Sequence, residues 1–358
     1  MITTRAVVVP APAESPVVAE VTLEPLKPDE VLIRPVVTGV CHSDVGWAAG
    51  EVYDRFPVVL GHETAGVVAA VGSMVTRFRP GDRVAVSMAH RCGQCEFCES
   101  GRAILCARRT ERFDRVRWRD AFCFQGFGTA AFAELMVVGE SSVVSVPRDV
   151  PFEVAAQLGC STSTGVGSVL NVAEVRPGST VAVIGAGAVG LNVILGAKLA
   201  GAERIVVADP DPERRQAAVQ IGASVAIAPD LAELLAQCPG GFNYVFEAAG
   251  NLDAMSLAVQ ALRPGGTATL IGVTKPGSTL QLDAMQLVLG QRRILGSLSG
   301  NVAPTTDSER YLRLWAAGRL PIDRLIGEVI PFEQLPAVLA GRVHPNPGKT
   351  MVRISDDV

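Results

Sequence analysis

The sequence predicts an α/β protein: a β-rich first region, a doubly wound parallel sheet, and a short mixed tail. Three observations carry that prediction. Short β-branched runs separated by turn signals fill the first 150 residues. From about residue 165 strands alternate with helical segments, the βαβαβ rhythm of a parallel sheet. Between the first such strand and its helix lies a glycine-rich turn, Gly185-Ala-Gly187-Ala-Val-Gly190.

In the first region Val31–Arg34, Gly66–Val71 and Arg83–Val86 read as strands. Pro28-Asp29, Gly72-Ser73 and Pro80-Gly81-Asp82 punctuate them, which fits barrel-like antiparallel structure. Residues 99–130 break the rhythm, and the cationic run from Arg108 to Arg119 reads there as a solvated surface excursion.

In the second region Val181–Gly185 is a buried strand and Ala188–Leu199 an apolar helix, which Gly201 ends. Strand Arg204–Asp209, helix Glu213–Ile221, strand Tyr244–Glu247 and helix Asp253–Leu262 follow. The turn Arg263–Gly266 then leads into strand Thr267–Val273. The tail carries one helix near Asp307–Ala317 and strands near Gly327–Ile330 and Thr350–Ile354.

At 358 residues the chain exceeds what one core usually serves, so two domains are expected. Its 48% apolar and 19% charged residues, with 36 Gly and 23 Pro, describe a turn-rich globular chain and exclude disordered and collagenous classes. A net charge of −4 leaves no basic field for nucleic acid or an anionic membrane. Mean hydropathy is +0.31, yet the most apolar stretch, Val181–Ala200, holds four glycines, Asn192 and Lys198 and cannot serve as a membrane span. Arg5 precedes only a brief apolar run ended by Pro10, so no secretory signal is expected and a reducing cytoplasm is the default compartment. There, eight cysteines beside four histidines point to metal ligation rather than disulfides.

The glycine-rich turn follows a strand, opens a helix, and has Asp209 at the end of the next strand, 19 residues beyond Gly190. That context separates a dinucleotide-binding fingerprint from an ordinary βα turn. Gly185, Gly187 and Gly190 permit a tight turn and let backbone N–H groups approach a pyrophosphate at the helix N-terminus. Asp209 would accept hydrogen bonds from an unmodified ribose and repel a 2′-phosphate, favouring NAD over NADP. Arg214 and Arg215, just beyond, are the groups that could soften this preference.

Cys92, Cys95, Cys98 and Cys106 form a C-x2-C-x2-C-x7-C cluster. Four thiolates at such spacing enclose a tetrahedral zinc with no open position, a structural site. The ferredoxin run begins alike, but its fourth Cys follows after three residues and precedes Pro, whereas Cys106 follows after seven and precedes Ala107. A third, scattered set comprises Cys41-His-Ser-Asp44, Gly61-His-Glu63 and Cys160. Cysteine and histidine suit zinc. Spacing alone does not bring Cys41, His62 and Cys160 together, and an inert Cys160 with a satisfied surface His62 would read the same way.

Taken in order, these pieces, with Cys160-Ser-Thr-Ser-Thr164-Gly, resemble the zinc-dependent medium-chain alcohol dehydrogenase family from about residue 20 to the C-terminus. The resemblance implies a GroES-like catalytic domain over residues 1–161, with a zinc lobe at 92–106. A Rossmann NAD-binding domain over 162–298 and a return segment over 299–358 complete it. It further implies two zinc ions per chain and reversible NAD-linked oxidation of a primary or secondary alcohol.

Residue by residue, the resemblance gives Cys41, His62 and Cys160 as ligands of a catalytic zinc, with Glu63 behind the metal. Asp44 would orient His62, and Ser43 would take the substrate hydroxyl proton. His42 would lie near the pyrophosphate, while Thr164 and Val189 would buttress the nicotinamide. Trp47, Met88 and Phe127 map to substrate-pocket positions and imply a medium-sized or aryl alcohol. Two positions depart from the family. Gly46 stands where many relatives carry the His that ends a proton relay, leaving His42 or water as the outlet. Val352 stands where relatives carry a tail Arg, with Arg353 beside it.

The 53 residues between Cys106 and Cys160 lie between the lengths of short tetrameric and long dimeric relatives, and a homodimer is expected, with a tetramer as the alternative. Two rival functions remain. One is a thiol-dependent formaldehyde dehydrogenase of the same family, for which Arg112, Arg115 and Arg117 would bind the carboxylates of the thiol. The other is a non-catalytic nucleotide-binding relative, which would lack the catalytic ligands. Cys123, Cys238, His90 and His344 receive no role.

Overall fold

A computed structural model describes residues 1–108, 114–341 and 348–356. Arg112 and His344 lie outside the described residues. The chain divides into two compact units, one of Met1–Cys160, Ala303–Arg313 and Ile326–Val358, the other of Ser161–Val302 and Leu314–Leu325.

The first unit contains a closed barrel formed by Ile2–Val9, Val17–Leu23, Val116–Trp118, Ala121–Gln125 and Val58–Val59. Closure removes the unpaired strand edges that would otherwise invite association. Alternate residues of these strands, among them Ala6, Val8, Val21, Leu23, Val116 and Cys123, fill its core. A second sheet runs in the order Val143–Ser145, Arg83–Val86, Glu63–Val71, Glu30–Gly39, Lys349–Arg353, Ile326–Pro331, and Met136–Gly139 also pairs with Glu30–Gly39. Its central strand, EVLIRPVVTG, is almost wholly buried, which explains its nearly continuous apolar character. The tail strand Lys349–Arg353 lies antiparallel to it, so Met351 pairs with Gly39, and Gly39 pairs in turn with Glu63.

The reading of Arg108–Arg119 as a solvated excursion is corrected in part: among its described residues Arg108, Asp114, Arg117 and Arg119 are exposed, but Arg115 and Val116 are buried. Val116–Trp118 is a barrel strand between Val17–Leu23 and Ala121–Gln125. Arg115 is only 5% exposed, and its guanidinium reaches the buried Glu30 carboxylate at 2.9 Å. A charge can be buried there because a carboxylate inside the fold partners it. Arg117 pairs with Glu24.

The second unit is a six-stranded parallel sheet in the order Val225–Ile227, Arg204–Ala208, Thr180–Ile184, Phe242–Glu247, Leu262–Leu270, Arg293–Gly296. The strand order reverses beside Thr180–Ile184, the point where doubly wound sheets bind ligands. Ala182, Ile184, Val206, Val245 and Ala268 belong to its core. Arg263–Gly266, read as a turn, is instead an irregular stretch inside strand Leu262–Leu270, where the pairing register shifts between Phe242 and Tyr244. Among the described residues no helix is long and apolar enough to cross a membrane.

Candidate active site

Asp44 organises the scattered set. It lies in the first turn of helix His42–Ala48, whose N-cap is Cys41. Its Oδ2 accepts the Cys41 backbone N–H at 3.0 Å, and its Oδ1 accepts that of Gly61 at 3.0 Å. The same Oδ1 lies 3.2 Å from Nδ1 of His62. One carboxylate thus ties the segment bearing Cys41 to the segment bearing His62. Gly61 has φ +91°, and a Cβ there would lie 2.7 Å from the Phe132 backbone nitrogen, so only glycine lets His62 enter at this angle. Gly159 performs the equivalent service for Cys160: a Cβ would lie 2.7 Å from the carbonyl oxygens of His62 and Val86.

The result is that one ligand atom each from Cys41, His62, Glu63 and Cys160 lies within 4.8 Å of the others. His62, Glu63 and Asp44 are at most 1% exposed. Ser43 is half-buried, His42 exposed, and Gly46 buried on the same short helix. A residue that sequence reasoning missed completes the group. Lys349, 3% exposed, donates from Nζ to Oε1 of Glu63.

Electrostatics in the cluster are strongly biased. The Cys41 thiol is held well below its usual range by its hydrogen bond with Cys160, against burial, with Lys349 and His62 adding to the effect. That bond and burial push Cys160 well above the range, so Cys41 ionises first. Burial opposes a charged His62, but Asp44 and Cys41 outweigh it and raise its pKa. Burial also raises Glu63, with Lys349 pulling it back. Two sulfurs, an imidazole and the Glu63 carboxylate gather as ligands of a metal could, and the soft donors suit zinc.

The four cysteines of the lobe likewise converge, with their ligand atoms within 4.8 Å of one another. Sγ of Cys92 lies 4.0 Å from Sγ of Cys98, and Sγ of Cys95 lies 4.0 Å from Sγ of Cys106. Zn–S bonds of about 2.3 Å in a tetrahedron require sulfurs about 3.8 Å apart, so the residues fit a closed zinc site. The Cys92 backbone N–H donates to Sγ of Cys106 at 3.3 Å. Backbone hydrogen bonds from Ala107 and Cys98 lower the Cys95 thiol to about 6, whereas burial raises that of Cys106 to about 11.

Beside His62 stands an aromatic wall. The Phe127 ring lies 4.2 Å from the His62 ring and meets Trp47 edge-on at 5.0 Å, while Tyr53 packs on Trp47 at 4.3 Å. Tyr53 is a second residue the sequence did not single out. Met88 is half-buried on the segment after Arg83–Val86. Cys123 is fully buried, with its thiol pushed to about 12, which marks a packing residue. His90 is bonded to Ser141 and Cys238 to the Gly241 carbonyl. Val352 is core and Arg353 pairs with Glu153.

In the second unit the glycine-rich turn is sterically tight. Gly185 has φ +96°, and a Cβ on Gly190 would lie 1.9 Å from the Gly185 carbonyl oxygen. Gly187, the N-cap of helix Ala188–Leu199, faces open space. Asp209 is 2% exposed, and its two carboxylate oxygens accept the N–H groups of Ala186, at 2.7 Å, and Asp211, at 2.9 Å. Arg214 is exposed and pairs with Asp211, while Arg215 turns back to the Asp209 carbonyl. Gly165 lets the helix carrying Thr164 approach the Val189 carbonyl oxygen, which a Cβ would meet at 2.6 Å.

The family model described as "Alcohol dehydrogenase GroES-like domain" matches residues 27–148, and "Zinc-binding dehydrogenase" matches residues 188–317. The chain is 37% identical over 343 residues to alcohol dehydrogenase class-3 of Drosophila melanogaster, covering 90% of each. It belongs to the zinc-dependent alcohol dehydrogenase family. The dehydrogenase is also 35% identical over 341 residues to S-(hydroxymethyl)glutathione dehydrogenase of Saccharomyces cerevisiae, covering 89% of this chain and 88% of that one. Benzyl alcohol dehydrogenase from Acinetobacter calcoaceticus superposes with a TM-score of 0.92 at 30% identity, over 99% of this chain and all of that one. As a family member the dehydrogenase is an oxidoreductase that moves hydride between an alcohol and a nicotinamide dinucleotide, and its two clusters are consistent with zinc.

Proposed function

We propose that this dehydrogenase oxidises a medium-sized or aryl alcohol to the aldehyde or ketone with NAD, reversibly. The observation that carries the substrate class is the aromatic wall of Phe127, Trp47 and Tyr53 against the ring of His62. Cys41, His62 and Cys160 hold the catalytic zinc, and Cys92, Cys95, Cys98 and Cys106 hold the structural one. When bound, the catalytic zinc supplies Lewis acidity that acidifies an alcohol or polarises a carbonyl. Asp44 fixes the orientation of His62, and Ser43 Oγ takes the hydroxyl proton of the substrate. With no side chain at Gly46 to pass that proton on, His42 or water carries it outward. Phe127 and Trp47 exclude water and hold the carbon that gives up hydride.

On the cofactor side, Gly185, Gly187 and Gly190 admit the pyrophosphate, Thr164 and Val189 support the nicotinamide, and His42 and Arg214 offer N–H donors. The buried Asp209 carboxylate favours an unmodified ribose, hence NAD rather than NADP. The catalytic domain is taken as residues 1–161 with the return segment 299–358, of which Leu314–Leu325 pack with the second unit, and the cofactor domain as 162–298. A cytoplasmic homodimer fits the edge strand Arg293–Gly296, which ends the sheet, and the exposed Met285, Val288 and Leu289 on the helix before it.

The likeness to S-(hydroxymethyl)glutathione dehydrogenase favours a second reading, thiol-dependent formaldehyde oxidation. Against it, Arg115 and Arg117 are engaged by Glu30 and Glu24 and are not held ready for the carboxylates of a thiol. The deciding experiment compares benzyl alcohol, ethanol, and formaldehyde with and without glutathione, each with NAD and NADP. Benzyl alcohol should exceed ethanol in kcat/KM at least about tenfold. Formaldehyde turnover appearing only with glutathione, and exceeding benzyl alcohol, would establish the second reading instead.

A further inference from the structure

We propose that Lys349 is a positioning residue that keeps Glu63 out of the metal's fourth position, so that the site stays open to substrate. The inference rests on the ligand assignment of Cys41, His62 and Cys160.

The sheet register builds the contact. Glu63, Gly39 and Met351 form one row across three strands, and Lys349 lies two residues from Met351, on the same face. The Lys349 side chain therefore crosses Gly39 to reach Glu63. Gly39 permits the crossing because it has no side chain: a Cβ there would lie 2.8 Å from Cε of Lys349 and 3.3 Å from Cβ of Glu63. Both charged groups are buried, Lys349 at 3% and Glu63 at 0% exposure.

Glu63 offers an oxygen within 4.8 Å of the ligand atoms of Cys41, His62 and Cys160, so the four residues together could enclose a metal completely. A site with four protein ligands is structural, and catalysis needs one position left for substrate. A buried carboxylate needs a cation or hydrogen-bond donors to offset the loss of water. The Lys349 ammonium is one such cation and holds Oε1 of Glu63. With the ammonium removed, a metal held by Cys41, His62 and Cys160 is a cation within reach of the Glu63 carboxylate.

Lys349→Met tests this because it keeps the length and apolar stem while deleting the charge. The readout is the visible spectrum of enzyme carrying cobalt(II) in the catalytic site, titrated with imidazole as an added ligand. Wild type should respond to imidazole. Lys349→Met should bind it at least about tenfold more weakly with a similar fall in kcat, while Lys349→Arg should respond like wild type. Lys349→Met with Glu63→Gln should recover the imidazole response, which a general packing defect would not do. A wild-type response in Lys349→Met overturns the proposal, as does failure of Glu63→Gln to restore it. Should Lys349→Met not fold, Gly39→Ala decides, since the methyl displaces the Lys349 chain: weakened imidazole binding supports the proposal and an unchanged response overturns it. Metal content separates the two readings, because a wild type with one zinc per chain would defeat the ligand assignment itself.

Discussion

Oδ1 of Asp44 lies 3.2 Å from Nδ1 of His62, and neither residue is more than 1% exposed. The same oxygen accepts the Gly61 N–H, and its twin accepts that of Cys41, so one side chain sets the positions of two ligands. Asp44→Ala should therefore weaken zinc binding at the open site about 10–100-fold, the usual effect of removing a carboxylate that orients a ligating histidine. Competition with a chromophoric chelator measures this, and the four-cysteine zinc serves as the internal control.

Cys106→Ser should remove the zinc of the four-cysteine lobe and leave the open site filled. Closed zinc sites contribute folding energy directly, so Tm should fall, on the order of 10 °C, while alcohol oxidation persists at low temperature. Metal analysis combined with thermal unfolding checks both halves.

Gly187 and Gly190 should separate binding from stability. A methyl at Gly190 would meet the Gly185 carbonyl oxygen at 1.9 Å and should destabilise the protein by about 2 kcal/mol or more. A methyl at Gly187 meets no protein atom within 4 Å, so Gly187→Ala should fold normally. It should still bind NAD poorly, because the second glycine of the turn is where the pyrophosphate approaches the backbone. Unfolding curves and NADH fluorescence titrations distinguish the two variants.

Much of this was legible in the sequence, and the reasons for the misses are specific. The inner strands of the parallel sheet were readable because runs such as Thr180–Ile184 and Arg204–Ala208 are short, buried and β-branched and the glycine turn marks the first crossover, whereas the edge strands Val225–Ile227 and Arg293–Gly296, only partly buried, were not read. The four-cysteine lobe was readable because its ligands are local in sequence. Lys349 was not, because it lies 286 residues from its partner Glu63 and a lysine after a glycine signals nothing by itself. Arg115 was misread for the same reason: a charge run looks solvated until the distant acid that faces it, Glu30, is known. Tyr53 belongs to no motif and joins the site through Trp47 and Phe127.

Gly46→His introduces a second imidazole on the short helix after Cys41, which already carries His42. A Cβ there has Val52 Cγ2 at 3.7 Å as its nearest neighbour, so the backbone accepts the change. The added base should shift the pH profile of kcat for alcohol oxidation toward lower pH, by supplying an acceptor for the substrate proton at the unperturbed histidine pKa of about 6.5. Superimposable profiles for variant and wild type would show that proton release does not pass this position.

The most direct test of the central claim is zinc content measured together with benzyl alcohol-dependent NADH formation in wild type and Cys160→Ala. The account predicts two zinc per chain in wild type. In Cys160→Ala it predicts one zinc per chain, retained by the four-cysteine lobe, and no alcohol oxidation. A Cys160→Ala protein that keeps both zinc ions and full activity would contradict it.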